Sequence, residues 1–333
     1  MRTLVTGGAG FIGSHLCDAL IERGDEVWCI DNLHLGREQN IQHLGKSANF
    51  HFRRLDVLDR ERLDRTFSET DFDVVFHMAA NSDIRQGSGD HELDLRLTFL
   101  TTFETLEAVI RHRVGGMFLA STSAVFGDPK RQTLHECSGP LQPLSFYGAA
   151  KLASEAYLSA FVNSFGFRAW VLRIPNVVGE RCTHGVVHDF IKRLTRDPSH
   201  LRVFGDGAQS KPYMYVKDLI AAIMIVFDRA PEPYAMYHVA GDGITSVRQI
   251  AEIVVEEMGL SGIPITYAGS RAGWVGDVPH YDYDVSKIRA LGFRHRYSST
   301  EAVRVAIRKI LHRDPTASSA GDGHQRGPLS QLE

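Results

Sequence analysis

The stretch VTGGAGFIGSHL, residues 5–16, decides the fold. A short apolar run at residues 3–6 reaches Gly7, Gly8, Gly10 and Gly13. Ile12, Leu16 and Leu20 then recur on one helical face until Gly24 stops the helix. A strand that turns on glycines into a helix brings backbone amides and the positive helix end to one point, where a pyrophosphate can sit. A side chain there would block the approach. Asp31 lies 18 residues past Gly13 (31 − 13), at the end of a second apolar run, EVWCI. A carboxylate at that place accepts from ribose hydroxyls and repels the extra phosphate of NADP, so the expected cofactor is NAD. The plain alternative is a tight turn with no ligand; strand, glycines, helix and acid in one register favour the cofactor. The expected contacts are Gly7, Gly10, Phe11, Ile12, Gly13, Asp31 and Asn32, with Asp56 and Val57 after a third strand and Ala79 and Ala80 after a fourth.

Outward from this turn, short β-branched runs alternate with helical patterns: RTLVTG, EVWCI, VVFHMA, MFLAS, AWVLRI. That alternation implies an α/β fold, a doubly wound parallel sheet of Rossmann type, with a smaller C-terminal α/β substrate-binding region. We place a dinucleotide-binding domain at 1–173, to which a strand near 237–239 returns, and a substrate-binding region at 174–312. Residues 313–333, rich in small and polar residues, read as a disordered tail. The 333 residues carry a net charge of −3 and no basic run, which favours a small-molecule substrate over nucleic acid or an anionic membrane. Cys17, Cys29, Cys137 and Cys182 show no CxxC spacing, and the longest apolar run, LIAAIMIVF, is too short to span a bilayer. The chain opens with neither a basic nor a long apolar leader. A soluble, cytoplasmic protein is the expectation.

Two further stretches carry chemistry. In SFYGAAKLASEAYL, Tyr147 and Lys151 stand four apart and share a helix face. A tyrosine titrates near pH ~10, and service as a base near neutrality requires a drop of roughly 3 units, about 4 kcal/mol. The ammonium and an oxidised nicotinamide could supply it together. Such pairs also occur on ordinary surface helices. In STSAVFG, residues 121–127, Thr122 falls at the tip of the expected fifth strand, on the edge where ligands bind in such sheets. Its hydroxyl could share the reacting proton with Tyr147, leaving Ser121 and Ser123 to shape the turn. His184 and His188, four apart, suggest a metal only weakly because no third ligand is evident, and no metal is expected.

Together, TGGAGFIG, Asp31, HMAA, STSAVFG, YGAAK, RIPNVVG and GDGAQSKPYMYVKDL resemble the extended short-chain dehydrogenase/reductases, specifically the nucleotide-sugar epimerase/dehydratase family, over residues 1–312. The spacing of 25 between Thr122 and Tyr147 (147 − 122) is that of the family's 4-epimerases. The resemblance implies Thr122 as the catalytic hydroxyl, Tyr147 as base and Lys151 as the ribose-binding lysine. The implied reaction is inversion at C4 of a UDP-sugar of glucose/galactose type, through a transient 4-ketose and bound NAD. It also implies substrate contacts at Ser82, Thr122, Asn176, Val186, Lys211, Tyr213, Arg271, Asp277 and Tyr281, and a homodimer formed by helices over residues 93–113 and 147–165.

Dehydratases of the family carry an acidic pair after the threonine, and decarboxylases a glutamate in the second of those places. Here Ser123 and Ala124 stand there, leaving Glu180 or Asp83 as carboxylates from elsewhere. Lys211 replaces an arginine, and Trp274 and Val275 stand where another is usual, so Lys211 would meet the diphosphate with help from Arg271 or Arg181. Tyr281 aligns with a bulky residue that disfavours N-acetylated sugars. A dehydratase, a decarboxylase, a reductase using exchangeable NADPH, and a silent NAD-sensing protein remain as alternatives; Asp31 speaks against NADPH, and the intact Thr122, Tyr147 and Lys151 against silence.

Overall fold

A computed structural model describes residues 1–87, 89–129, 132–269 and 282–313. Seven strands form one sheet: β1 (Arg2–Thr6), β2 (Glu26–Asp31), β3 (Phe50–Arg54), β4 (Val74–His77), β5 (Gly116–Thr122), β6 (Arg168–Ile174) and β7 (Tyr234–His238). Their order is 3-2-1-4-5-6-7, and every pairing is parallel. The chain crosses from one half of the sheet to the other between β3 and β4, so β1 and β4 flank the switch point where a crevice opens beyond the strand ends.

The helices are α1 (Phe11–Glu22), α2 (Arg60–Ser68), α3 (Thr101–Arg111), α4 (Phe146–Phe165), α5 (Val186–Arg196), α6 (Val216–Arg229), α7 (Val247–Glu257) and α8 (Ser299–Arg313). Strand β1 shows why the runs are apolar rather than alternating. Val5 belongs to the same buried core as Leu16 and Leu20 of α1 and Leu219 and Phe227 of α6, whereas its neighbour Leu4 belongs to a separate core with Phe67, Leu106, Val109 and Leu158 of α2, α3 and α4. Successive strand residues point to opposite faces, so both faces are dry only if helices cover each.

A second core joins α5, α7 and α8 through Phe190, Leu194, Ile250, Val254, Val303 and Ile307. Two parallel strand pairs belong to this region: Asn176–Val178 beside Tyr213–Tyr215, and Leu201–Val203 beside Ile265–Tyr267. The two cores interleave along the chain, because α6, β7 and residues near Ile288 and Phe293 return to the core of the large sheet.

Ser145 caps α4 by accepting from the Gly148 amide at 3.1 Å, and Gly166, at φ 77°, closes the helix in the left-handed region. The continuous helix expected over 93–113 is interrupted. It runs as His91–Asp94, a π-helical turn Leu95–Leu100, and then α3. Just past this turn Thr101 donates to Leu97 O and Thr98 O at 3.0 and 3.1 Å, and Thr102 to Thr98 O at 2.8 Å. Among the described residues no helix is long and apolar enough to cross a membrane.

Candidate functional site

A cavity of about 520 Å³ opens at the carboxyl ends of β1, β2, β4, β5 and β6. Its floor is the glycine turn. Gly7 has φ +65°, and a Cβ added there would lie 2.7 Å from the Ala79 amide nitrogen; one on Gly13 would lie 2.3 Å from the Gly7 carbonyl oxygen. The turn is therefore closed against its neighbours, and only bare backbone faces the cavity. Asp31 ends β2, 7% exposed, and accepts from the amides of Ala9 at 3.0 Å and Leu33 at 2.7 Å. Burial raises its carboxyl above the usual range, while these amides pull the other way. Asn32 donates to Asp56 Oδ2 at 3.0 Å and so ties the ends of β2 and β3 together. This cradle fits NAD: bare glycine backbone at a helix N-terminus for the pyrophosphate, and a carboxylate on the rim for ribose.

The other wall carries the hydroxyls. Strand β5 ends on Thr122, next to Ser123–Phe126, a 3-10 turn. Thr122 itself caps that turn, its Oγ1 accepting from the Ala124 amide at 3.2 Å, and it acts on the Tyr147 phenol as a hydrogen-bonding neighbour that pulls it down. Shaping the turn was expected of Ser121 and Ser123. Ser121 instead points into the protein, donating to Glu155, because alternate strand residues face opposite ways. Tyr147, in the first turn of α4, has its phenol pushed up by burial and by the Asp94 charge, the Thr122 bond pulling it down. Lys151 is 1% exposed and donates from Nζ to Ala120 O at 2.7 Å; burial lowers it to about 8 against the pull of Glu155 and Asp94. Burial and the Asp94 charge thus work against the lowering of the Tyr147 phenol that Lys151 and an oxidised nicotinamide together are expected to supply.

The described residues that sequence reasoning selected come together here. Gly7, Gly10, Phe11, Ile12, Gly13, Asp31, Asn32, Asp56, Val57, Ala79 and Ala80 line the cavity, as do Ser82, Thr122, Tyr147, Lys151, Asn176, Val186, Lys211 and Tyr213. Asn176 stands beside Tyr213 in the strand pair, and Lys211 beside Thr245. Arg271, Asp277 and Tyr281, with Trp274 and Val275, lie outside the described residues. Arg181 does not help Lys211. It sits at φ 70°, 6% exposed in its side chain, with Nη2 on Asp18 Oδ2 of α1 at 2.8 Å, and is absent from the cavity wall. Glu180 is likewise turned inward, accepting from the Tyr215 hydroxyl at 3.0 Å. Asp83 does line the cavity, next to His184, whose Nε2 meets Ser82 O at 3.2 Å and whose pKa burial lowers. His34, Leu35 and Gly36, which also line it, were missed because a loop without glycine repeats or periodicity carries no signal.

Residues 3–240 match the model of the NAD dependent epimerase/dehydratase family. The UDP-glucose 4-epimerase of Mycolicibacterium smegmatis is 31% identical over 319 residues, 92% of this chain and 97% of that one. UDP-glucuronic acid decarboxylase 1 of Arabidopsis thaliana is 31% identical over 264 residues, 77% of this chain and 58% of that one. Among solved structures, the UDP-glucose 4-epimerase of Thermus thermophilus in complex with NAD superposes with a TM-score of 0.82 at 31% identity, covering 92% and 98% of the two chains. The chain is an NAD-using enzyme and belongs to the NAD-dependent epimerase/dehydratase family.

Proposed function

We propose that the enzyme is a 4-epimerase of a UDP-sugar of glucose/galactose type. The observation that carries this reading is the turn at the end of β5: Thr122 lines one cavity with Tyr147 and Lys151, and Ala124 puts a methyl group where elimination or decarboxylation would need a carboxyl. Tyr147 takes the proton of the sugar 4-hydroxyl, and Thr122 bridges the two oxygens. NAD, when bound, supplies the acceptor for the C4 hydride and then its donor. The Tyr147 proton returns to the 4-oxygen when the ketose is reduced on its other face, so proton and hydride balance over the cycle. Lys151, whose Nζ donates to the Ala120 carbonyl, would hold the ribose of NAD and keep a positive charge in the cavity wall. Asn176 and Lys211 are the expected diphosphate contacts, Lys211 as a point charge.

Asp83, a carboxylate that lines the cavity beside Ser82 and His184, supports a second reading in which it serves as acid for a dehydratase or decarboxylase. We also propose a homodimer. Leu95, Phe146, Tyr157 and Phe165 expose 45–58% of their surface on one side of α4 and the π-helical turn, and Tyr157 stacks edge-on with Phe99 at 5.0 Å. The four cysteines are free, which suits the reducing cytoplasm expected from sequence. The test is to purify the protein, assay bound NAD, and add UDP-glucose, UDP-galactose, UDP-glucuronate and UDP-N-acetylglucosamine separately without cofactor. Interconversion of the first two supports the proposal. A stable 4-keto-6-deoxy product or release of CO₂ refutes it and supports the Asp83 reading.

A further inference from the structure

Two segments that carry expected substrate contacts line the cavity together. One follows β4 and holds Ser82; the other runs from Gly179 to the start of α5 and holds Val186. A hydrogen bond joins them between residues 102 apart in the chain, from His184 Nε2 to the Ser82 carbonyl oxygen at 3.2 Å. A carbonyl only accepts, so Nε2 carries the ring proton, and Nδ1 is left to accept from Thr183 Oγ1 at 3.2 Å. Both partners are braced. Asn81 Oδ1 accepts from the Asp83 amide at 3.1 Å and Asn81 Nδ2 donates to Asp83 O at 3.2 Å, closing a turn that presents the Ser82 carbonyl. On the other side the Cys182 thiol donates to His184 O at 3.0 Å. Just before it the segment is moored to α1: His15 Nε2 meets Glu180 O at 3.1 Å, and Arg181 Nη2 meets Asp18 Oδ2 at 2.8 Å. The segment is thus tied to the cofactor helix at one end and to the loop after β4 at the other.

We propose that His184 is a positioning residue for the substrate: by donating to the Ser82 carbonyl it latches the segment before α5 to the segment after β4 and sets the spacing of the walls that carry Ser82 and Val186. The inference rests on the UDP-sugar reading above. Its energetics depend on when the walls are ordered. With the bond made, they stand at their spacing before substrate arrives. Without it, substrate binding has to order them, at a cost no greater than what the bond contributes. Water reaches this bond, because Ser82 is exposed and His184 half-buried. Its loss should therefore raise KM by roughly 2- to 5-fold, the lower part of the range for a neutral hydrogen bond. Thr122 and Tyr147 lie on β5 and α4, outside the two latched segments, and the glycine turn and Asp31 lie on the other half of the sheet. The chemical step and NAD binding should not follow the latch.

The test compares His184→Phe, which keeps a ring of similar size without a donor, with His184→Gln, whose amide Nε2 can donate from nearly the same place. His184→Ala replaces the phenylalanine variant if that one does not fold. The first measurement is amide hydrogen exchange of the NAD-loaded protein without sugar. Residues 79–84 and 180–186 should exchange faster in His184→Phe and close to the wild-type rate in His184→Gln. No sugar enters, so this measurement decides the latch even if the UDP-sugar reading fails, a failure that shows separately as a wild-type protein that turns over no UDP-sugar. The second measurement is steady-state kinetics with UDP-glucose beside calorimetric titration of NAD. His184→Phe should raise KM by the factor above and leave kcat and NAD affinity in place, and His184→Gln should restore KM. A role confined to folding would lower kcat and NAD affinity along with it. Unchanged exchange in both segments of folded His184→Phe overturns the proposal, and so does faster exchange with KM unmoved. A raised KM with unchanged exchange also overturns it, because His184 would then be a direct substrate contact.

Discussion

Gly13→Ala and Gly24→Ala make the same chemical change at the two ends of α1, and the structure predicts opposite phenotypes. Gly13 has no left-handed backbone to lose, but its added Cβ would lie 2.3 Å from the Gly7 carbonyl oxygen and 2.9 Å from Gly8 Cα. Ordinary contact begins at 3.4 Å, so the turn or the helix must give way by about 1 Å (3.4 − 2.3), and both contacts are backbone that cannot rotate aside. The amides that would meet the pyrophosphate move with it. Loss of one hydrogen bond to a charged group costs about 1.5–3 kcal/mol, which is about 10- to 100-fold in the dissociation constant for NAD. Gly24, at φ +91°, has nothing within 4 Å of an added Cβ. Alanine there strains the backbone by roughly 1–2 kcal/mol and should lower the melting temperature by roughly 2–5 °C with NAD binding intact. Calorimetric titration of NAD into the apoprotein, beside thermal melts of both variants, separates the two effects. Unchanged NAD affinity in Gly13→Ala would refute the assignment of this turn to the pyrophosphate.

Tyr147→Phe should abolish turnover while bound NAD survives purification; measurable epimerisation would remove Tyr147 as base. Glu155→Gln leaves the buried Arg173 guanidinium, 3% exposed, without its anion, and should cost about 3–5 kcal/mol in urea unfolding; a loss under 1 kcal/mol would mean that Arg173 is neutralised by another group. His238, edge-on to Phe126 and Tyr283, is held to about 3 by burial and the Arg173 charge. As pH falls below its unfolded value of 6.5, the unfolded chain takes up a proton that the folded one refuses, so stability declines by up to about 1.4 kcal/mol per pH unit until pH nears 3. His238→Phe should flatten the stability profile between pH 6 and pH 4 by that amount, and an identical slope in the two proteins would count against a neutral buried imidazole.

The placement of Gly7, Gly10, Gly13 and Asp31 on one cavity was legible, because a strand that turns on glycines into a helix brings them to the sheet's carboxyl edge with the end of the next strand. Thr122, Tyr147 and Lys151 were legible as a set, since strand tip and helix start bring them together in this sheet order. The π-helical turn was not, because a change of hydrogen-bond register within a helix leaves the residue types of the segment unchanged. Nor was the orientation of Arg181. An arginine in a loop points to the ligand or away from it according to one left-handed residue, and residue type does not mark that choice.

In the proposed reaction the turn after β5 would also give the proton path a direction. A threonine hydroxyl has one proton and two lone pairs. Thr122 spends one lone pair on the Ala124 amide, and that bond holds the side chain in the position where it meets Tyr147. What remains is the proton and a single lone pair. Once Tyr147 has ionised, Thr122 can only donate to it or to the substrate oxygen, and a donor beside the phenolate favours the charged form, in the direction the Thr122 bond acts on the phenol. Serine in place of Thr122 would keep the donor but lose the γ-methyl, which restricts χ1 in a strand. Thr122→Ser should therefore retain partial activity with the Tyr147 titration little changed, and Thr122→Val should raise the Tyr147 midpoint as well as lower kcat. A valine variant with an unshifted midpoint would show that the hydroxyl orders the turn and leaves the phenolate alone.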